Sequence, residues 1–146
     1  MKRTFLFLCL AACGGTDVVV IPTQMAQGVV DVTKLQSFEL WVLDQLGRDN
    51  NPISCEALLS RQLSPLSANV VPLQREPVSG VFSDGSIVAV KGLRKGDRNT
   101  IFYVDVYDQP DGLGSRIAAG CVPAQTIKGG QTLRFALEID AAPLAQ

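Results

Sequence analysis

Asp105, Asp108 and Asp111, with Asp97 upstream, are the residues whose type and spacing come nearest to chemistry. Oxygen ligands gathered at a sharp turn are what calcium needs. A pair of carboxylates flanking a bond is what glycosidic hydrolysis needs. The order Asp108-Gln109-Pro110-Asp111-Gly112 lacks the one-three-five ligand spacing of an EF-hand loop. The same residues make a turn, in which Asp108 accepts backbone amides and Gly112 supplies a positive φ. The expectation is a turn with no bound metal. The alternative is a small carboxylate- or calcium-dependent hydrolase using Asp105, Asp108 or Asp111.

The chain contains no histidine. That removes Ser-His and Cys-His relays and the usual general base of neutral pH. Cys55 and Cys121 are the only soft ligands of the main part of the chain, too few for a zinc site. Gly129-Gly130 lacks the further glycines and the following helix of a phosphate loop. No catalytic residue and no cofactor is assigned. Tyr103 and Tyr107 fall on the same side of a predicted strand as Asp105, its outer face. An outward aromatic pair there would be a contact surface for protein or carbohydrate; cross-strand packing is the other reading. Trp41 stands alone and reads as a core or sheet-edge residue. Arg94-Lys95-Gly96-Asp97-Arg98 is a solvated connection carrying both signs of charge.

These residues need elements to position them, and the periodicity supplies mostly strands. Val18-Val19-Val20-Ile21 is a β-branched run stopped by Pro22. Val29-Val30-Asp31-Val32-Thr33 reads as strand or turn. Residues 37–44 alternate, with Phe38, Leu40 and Val42 on one face. Ser54 caps a short helix over 54–63 in which Leu58, Leu59 and Leu63 share a side. Residues 69–78 are extended but carry Pro72 and Pro77, which place the segment at a sheet edge or make it irregular. Residues 86–90, 100–108 and 116–122 are further strands. In 100–108 the core face is Phe102, Val104 and Val106. The clearest alternation is Leu133, Phe135, Leu137 and Ile139, which predicts a central strand. Six to eight short strands with one short helix in a connection predict an all-β fold, an antiparallel β-sandwich.

The N-terminus addresses the chain. Lys2 and Arg3 precede the apolar run Thr4-Phe5-Leu6-Phe7-Leu8-Cys9-Leu10-Ala11-Ala12. A basic end, an apolar run and small residues are the physics of a secretory signal. The run is too short for a spanning helix, which takes roughly 20 residues. Leu10-Ala11-Ala12-Cys13 resembles the lipobox of bacterial lipoproteins. The resemblance implies a diacylglyceryl thioether on Cys13, cleavage before it, and acyl chains such as palmitate that hold the protein to the bilayer. Several acyl chains anchor stably where one is marginal. Gly14 in place of Asp implies, by the same resemblance, the outer membrane, facing the periplasm or the cell surface. Cys9 leaves with the signal as a small hydrophobe.

Cleavage after residue 12 leaves 134 of the 146 residues, enough for one domain. It also removes Lys2 and Arg3, taking 13 basic residues to 11 against 14 acidic, a net charge near −3. That balance excludes nucleic acid as a partner. An oxidising compartment and an even remainder of cysteines predict a bond between Cys55 and Cys121, two buried thiols being the alternative. Closing their 66-residue separation would stabilise the fold by roughly 3–4 kcal/mol.

Residues 93–139 resemble the ends of prealbumin-like and immunoglobulin-like β domains of bacterial surface lipoproteins, particularly from large-genome, predatory or gliding Gram-negative bacteria. The matching residues are Leu93, Gly96, Val104, Tyr107, Asp108, Gly112, Gly120, Cys121, Gly129 and Leu137. The expected organisation is a signal peptide at 1–12, a lipidated tether at 13–17, one β-sandwich domain at 18–142 and a tail at 143–146. The expected function is non-enzymatic: a lipid-anchored module of the cell envelope with a structural role or a protein or glycan partner.

Overall fold

The computed structural model describes residues 16–25, 35–79, 88–93, 99–126 and 133–141, with side chains over 35–75 and 99–126. The leader with Cys13, the tether up to residue 15, and the stretches 29–33, 94–98, 129–130 and 143–146 lie outside the described residues. Among those described are seven strands: β1 (Thr16–Met25), β2 (Ser37–Asp44), β3 (Pro72–Ser79), β4 (Val88–Leu93), β5 (Asn99–Tyr107), β6 (Arg116–Thr126) and β7 (Leu133–Ala141). One helix, α1 (Cys55–Leu59), lies between β2 and β3.

The strands form one sheet in the order β3-β2-β5-β6-β7-β1-β4. This corrects the expected antiparallel sandwich. The ladders run continuously from edge β3 to edge β4, with no ladder closing those edges among the described residues, and β1 pairs with β7 in parallel. Periodicity states which residues share a face, and it leaves open what covers that face or how strands pair. The edge position of β3, with Pro72 and Pro77, is as expected, because each proline removes a ladder donor. β7 is flanked on both sides, as its four alternating apolar positions require. Pro22 lies inside β1 rather than ending it, next to a register shift between Pro22 and Gln24.

The antiparallel block β3-β2-β5-β6 carries the described core. β2 and β5 are buried on both faces over almost their whole length. Phe38, Leu40 and Val42 of β2 and Phe102, Val104 and Val106 of β5 line one side, all buried. The other side holds Trp41 opposite Tyr103 and Leu43 opposite Ile101. These four pack with Ile53, Leu58, Val70 and Ala119 in a second apolar cluster, covered by α1 and its flanking loops. The face of β5 expected to point outward is therefore a second core face.

α1 is five residues long, shorter than the two or three turns expected. Ser54 caps it, its Oγ accepting from the Ala57 amide at 3.1 Å. Arg61 ends the turn in the left-handed region at φ 63°. Leu58 is fully buried, with Leu59 and Leu63 partly buried against the same cluster, as their predicted common side requires. Cutting Leu58 to Ala would cost about 2–5 kcal/mol. Cys55, the first residue of α1, is disulfide-bonded to Cys121 of β6, with their Cα atoms 5.6 Å apart. The bond clamps the helical connection onto the sheet.

Candidate functional site

On the face beneath α1 the sheet is apolar at one end and charged at the other. Alternation places Ser37 and Glu39 of β2, and Asp105 and Tyr107 of β5, in line with Trp41 and Tyr103. Arg116 joins them through an irregularity. The register shifts between Val106 and Tyr107, so Tyr107 faces Arg116 rather than Ile117. That bulge turns the Arg116 side chain onto the face of Asp105. Strict alternation hides this placement, and Arg116 was legible in the sequence only as the first residue of a returning strand.

Glu39 and Asp105 are direct cross-strand neighbours, and both are buried. Asp105 accepts a 2.7 Å hydrogen bond from the Tyr103 hydroxyl and meets Arg116 Nε at 2.5 Å. Glu39 is ion-paired with Arg75 of the edge strand, whose guanidinium lies 5.0 Å from the centre of the Trp41 ring. Arg116 lies over the Tyr103 ring at 5.8 Å. Its side chain is only 9% exposed, and its Nη2 is buried with no hydrogen-bond partner.

Burial raises the Asp105 pKa, and this outweighs the opposing pull of the Tyr103 hydrogen bond and the Arg116 charge. Burial, then the charge of Asp105, pushes the Tyr103 hydroxyl far above the ordinary tyrosine range. Tyr107 is pushed up to about 12, by burial first and then by Asp105 and Glu39.

A tight 3-10 turn, Pro110–Gly112, closes the charged end. Ser37 Oγ donates to the Gln109 carbonyl at 2.6 Å and accepts from the Gly112 amide at 2.9 Å. Gly112 has φ 70°, and a Cβ there would stand 2.7 Å from Glu39 Oε1. A side chain at this position would be strained by the backbone and would press on the end of Glu39.

The three aspartates of the sequence constellation are put to separate uses. Asp105 is inside, engaged with Tyr103 and Arg116. Asp108 accepts the Ser115 amide at 2.7 Å, the turn role expected of it. Asp111 is exposed in the 3-10 turn at φ 60°. Among the described residues no group of three or more His, Cys, Asp or Glu side chains is placed to hold a metal ion. Tyr103 is only 2% exposed, so it offers no outer contact surface; Tyr107 is partly buried.

Between the α1 connection and the sheet lies a pocket of about 320 Å³. Its floor is Tyr103, Asp105, Tyr107 and Arg116, its apolar wall Leu58, Leu63 and Pro65, and its polar rim Arg61 and Ser64. A second, larger hollow of about 660 Å³ lies at the other end of β2, lined by Asp44, the turn residues 45–48 and Asn50, with Val71 and Asn99. No protein-family model matches the chain, and neither a curated protein nor a solved structure is similar to it.

Proposed function

We propose that this chain is a non-enzymatic, lipid-anchored module of the cell envelope that makes structural or protein and glycan contacts. The observation that carries the reading is the bond between Cys55 and Cys121. Structural disulfides persist in oxidising compartments outside the cytosol. The leader, with Lys2 and Arg3 ahead of an apolar run, addresses the chain to such a compartment. Acylation of Cys13 would then hold it at the bilayer, and Gly14 favours the outer membrane.

The described charges support a non-enzymatic role. Asp105 is committed to Tyr103 and Arg116, and Glu39 to Arg75. Both carboxylates are buried and face groups of the fold itself.

Mass spectrometry of protein isolated from native membranes tests the anchor. The expected N-terminal peptide begins at Cys13 and carries the mass of a diacylglyceryl group and a further acyl chain. Cys13→Ala should abolish that peptide and release the protein from the membrane fraction. A full-length membrane form with unmodified Cys13 would overturn the reading.

A further inference from the structure

We infer, resting on the acyl anchor proposed for Cys13, that one rim of the curled sheet lies against the lipid bilayer. There Leu46 enters the boundary between headgroups and acyl chains, and Arg48 meets lipid phosphate. The strand directions place these residues. β1 begins at Thr16 and runs parallel to β7, so Thr16 lies beside the start of β7. β7 is antiparallel to β6, so its start lies toward Thr126, and Thr126 pairs with Asn99. Asp44 pairs with Thr100, and Leu43 with Pro72. The entry of the chain into β1 and the turn after β2 are therefore at one end of the sheet. The sheet also curls until Cα atoms of its two edge strands, β3 and β4, come within 8 Å. That curl gathers the ends into a rim.

Chain length decides which rim meets lipid. Cys13 precedes Thr16 by three residues, which reach at most about 10 Å when fully extended. The opposite rim is the length of β5 away, nine residues or about 30 Å. Acyl chains on Cys13 would therefore hold the Thr16 rim at the headgroups and leave the other rim clear of them.

The turn after β2 suits such a surface. Leu46 is 48% exposed and Arg48 is exposed, while Gly47 between them is buried. A Cβ on Gly47 would stand 2.9 Å from the Asn69 carbonyl oxygen, so the backbone packs inward there. The amides of Asp44, Gln45 and Arg48 donate to the carbonyls of Val71, Asn99 and Asn69 at 3.0, 2.9 and 2.8 Å. A turn held in this way loses little freedom on docking. Asp44 and Asp49 accept the amides of Leu46 and Asn51 within the turn itself. Leu73, 39% exposed near the start of β3, lies on the same rim. A leucine beside an arginine fits the bilayer interface, where the apolar part is buried and the guanidinium reaches phosphate. The opposite rim also shows an exposed leucine, Leu113, but its turn carries Asp108 and Asp111 and no cation between Tyr107 and Arg116. Acidic groups are repelled by an anionic lipid surface.

The test uses the acylated protein, isotope-labelled, in bilayer discs of three parts phosphatidylethanolamine to one part phosphatidylglycerol with a paramagnetic headgroup lipid. Amide relaxation then maps which residues sit near the headgroups. Amides at 45–50, 71 and 73 should be broadened at least fivefold more than those at 111–115. A passive tether would also bring this rim near, so the deciding variant is Leu46→Ser combined with Arg48→Gln. Both positions are exposed, and the melting temperature should not change. The contrast between the rims should fall at least threefold, each substitution alone giving part of that loss, while Leu113→Ser should leave it unaltered. Flotation with vesicles of the same lipids reports the anchor separately from the face. A protein that fails to float lacks the anchor, and with it the rim contact. A protein that floats but shows stronger broadening at 111–115, even broadening over both rims, or an unchanged contrast in the folded double variant would overturn the rim assignment and leave the anchor standing.

Discussion

Glu39 and Asp105 stand directly opposite one another on β2 and β5, both buried, and each is held by a different arginine. Like charges in that relation repel. The sheet resolves the repulsion from outside the pair, with Arg75 on β3 and Arg116 on β6. Across four neighbouring strands the charges therefore run plus, minus, minus, plus. The two ends differ in exposure: the Arg75 side chain is 53% exposed and that of Arg116 only 9%.

That difference sets the cost of losing either arginine. Arg116→Met should destabilise the protein at pH 7 by about 3–5 kcal/mol, because Asp105 is left buried without its partner. Arg75→Ala should cost less, about 1–2 kcal/mol: it too strands a buried carboxylate, Glu39, but on the side where the partner already meets solvent. Urea unfolding at neutral pH gives both values. Equal costs would show that burial does not govern this network.

The raised pKa of Asp105 makes a signed prediction. The folded state holds this proton to higher pH than the unfolded state, so the stability Asp105 contributes is complete below the unfolded value of 3.8. It is lost as pH rises through the folded pKa. The stability of wild type minus that of Asp105→Asn should therefore fall as pH rises above the unfolded value of 3.8. A difference that rises with pH would mean that the Arg116 attraction outweighs desolvation.

The chain has two tyrosines, and both sit in this network. In the native protein at pH 11 the tyrosinate absorbance near 295 nm should be almost absent, since Tyr107 titrates at about 12 and Tyr103 higher still. In guanidinium both should titrate near the ordinary value of about 10. Because the folded values are raised, the tyrosines' contribution to stability is intact below pH 10 and is lost above it. Alkaline unfolding should follow. A full native titration at pH 10 would refute the burial of Tyr103.

Replacing Cys55 or Cys121 by Ser should cost about 3–4 kcal/mol, on the chain-entropy argument for a 66-residue separation. Non-reducing digestion should yield the cross-linked peptide pair. Alkylation of both thiols in the unreduced native protein would refute the bond.

Gly112→Ala should cost roughly 1–3 kcal/mol, through the positive φ and the approach to Glu39 Oε1. The shift of the urea midpoint measures it. Hydrogen exchange at the Gly112 amide should quicken as its bond to Ser37 loosens.

Much of the β architecture was legible from local chemistry. The run from Ser37 to Asp44 reads as β2 because Phe38, Leu40 and Val42 alternate, and Pro72 with Pro77 mark β3 as an edge. Cys55 and Cys121 pair as expected. The second core face was legible only at Trp41, because Tyr103 and Ile101 look like outward residues until α1 and its loops are laid over them. The candidate site was legible only in part. Asp105, Tyr103 and Tyr107 are marked by type and alternation, but Arg116 reaches them through a bulge that no period-2 pattern registers. Arg61 and Arg75 arrive from a loop and from an edge strand, through contacts that are entirely non-local.

The strand order also governs when the fold can form. β7 is the one hydrogen-bonded link, among the described residues, between the block β3-β2-β5-β6 and the pair β1-β4. During synthesis β1 and β4 emerge long before residue 133, and a two-stranded ribbon is marginal in water by itself. Its union with the rest waits for β7, when Val18 meets Leu133 across most of the chain. Non-local closure of this kind is slow. The two parts of the sheet are therefore joined only when the last described strand is made, and until then β1 and β4 have no partner beyond each other.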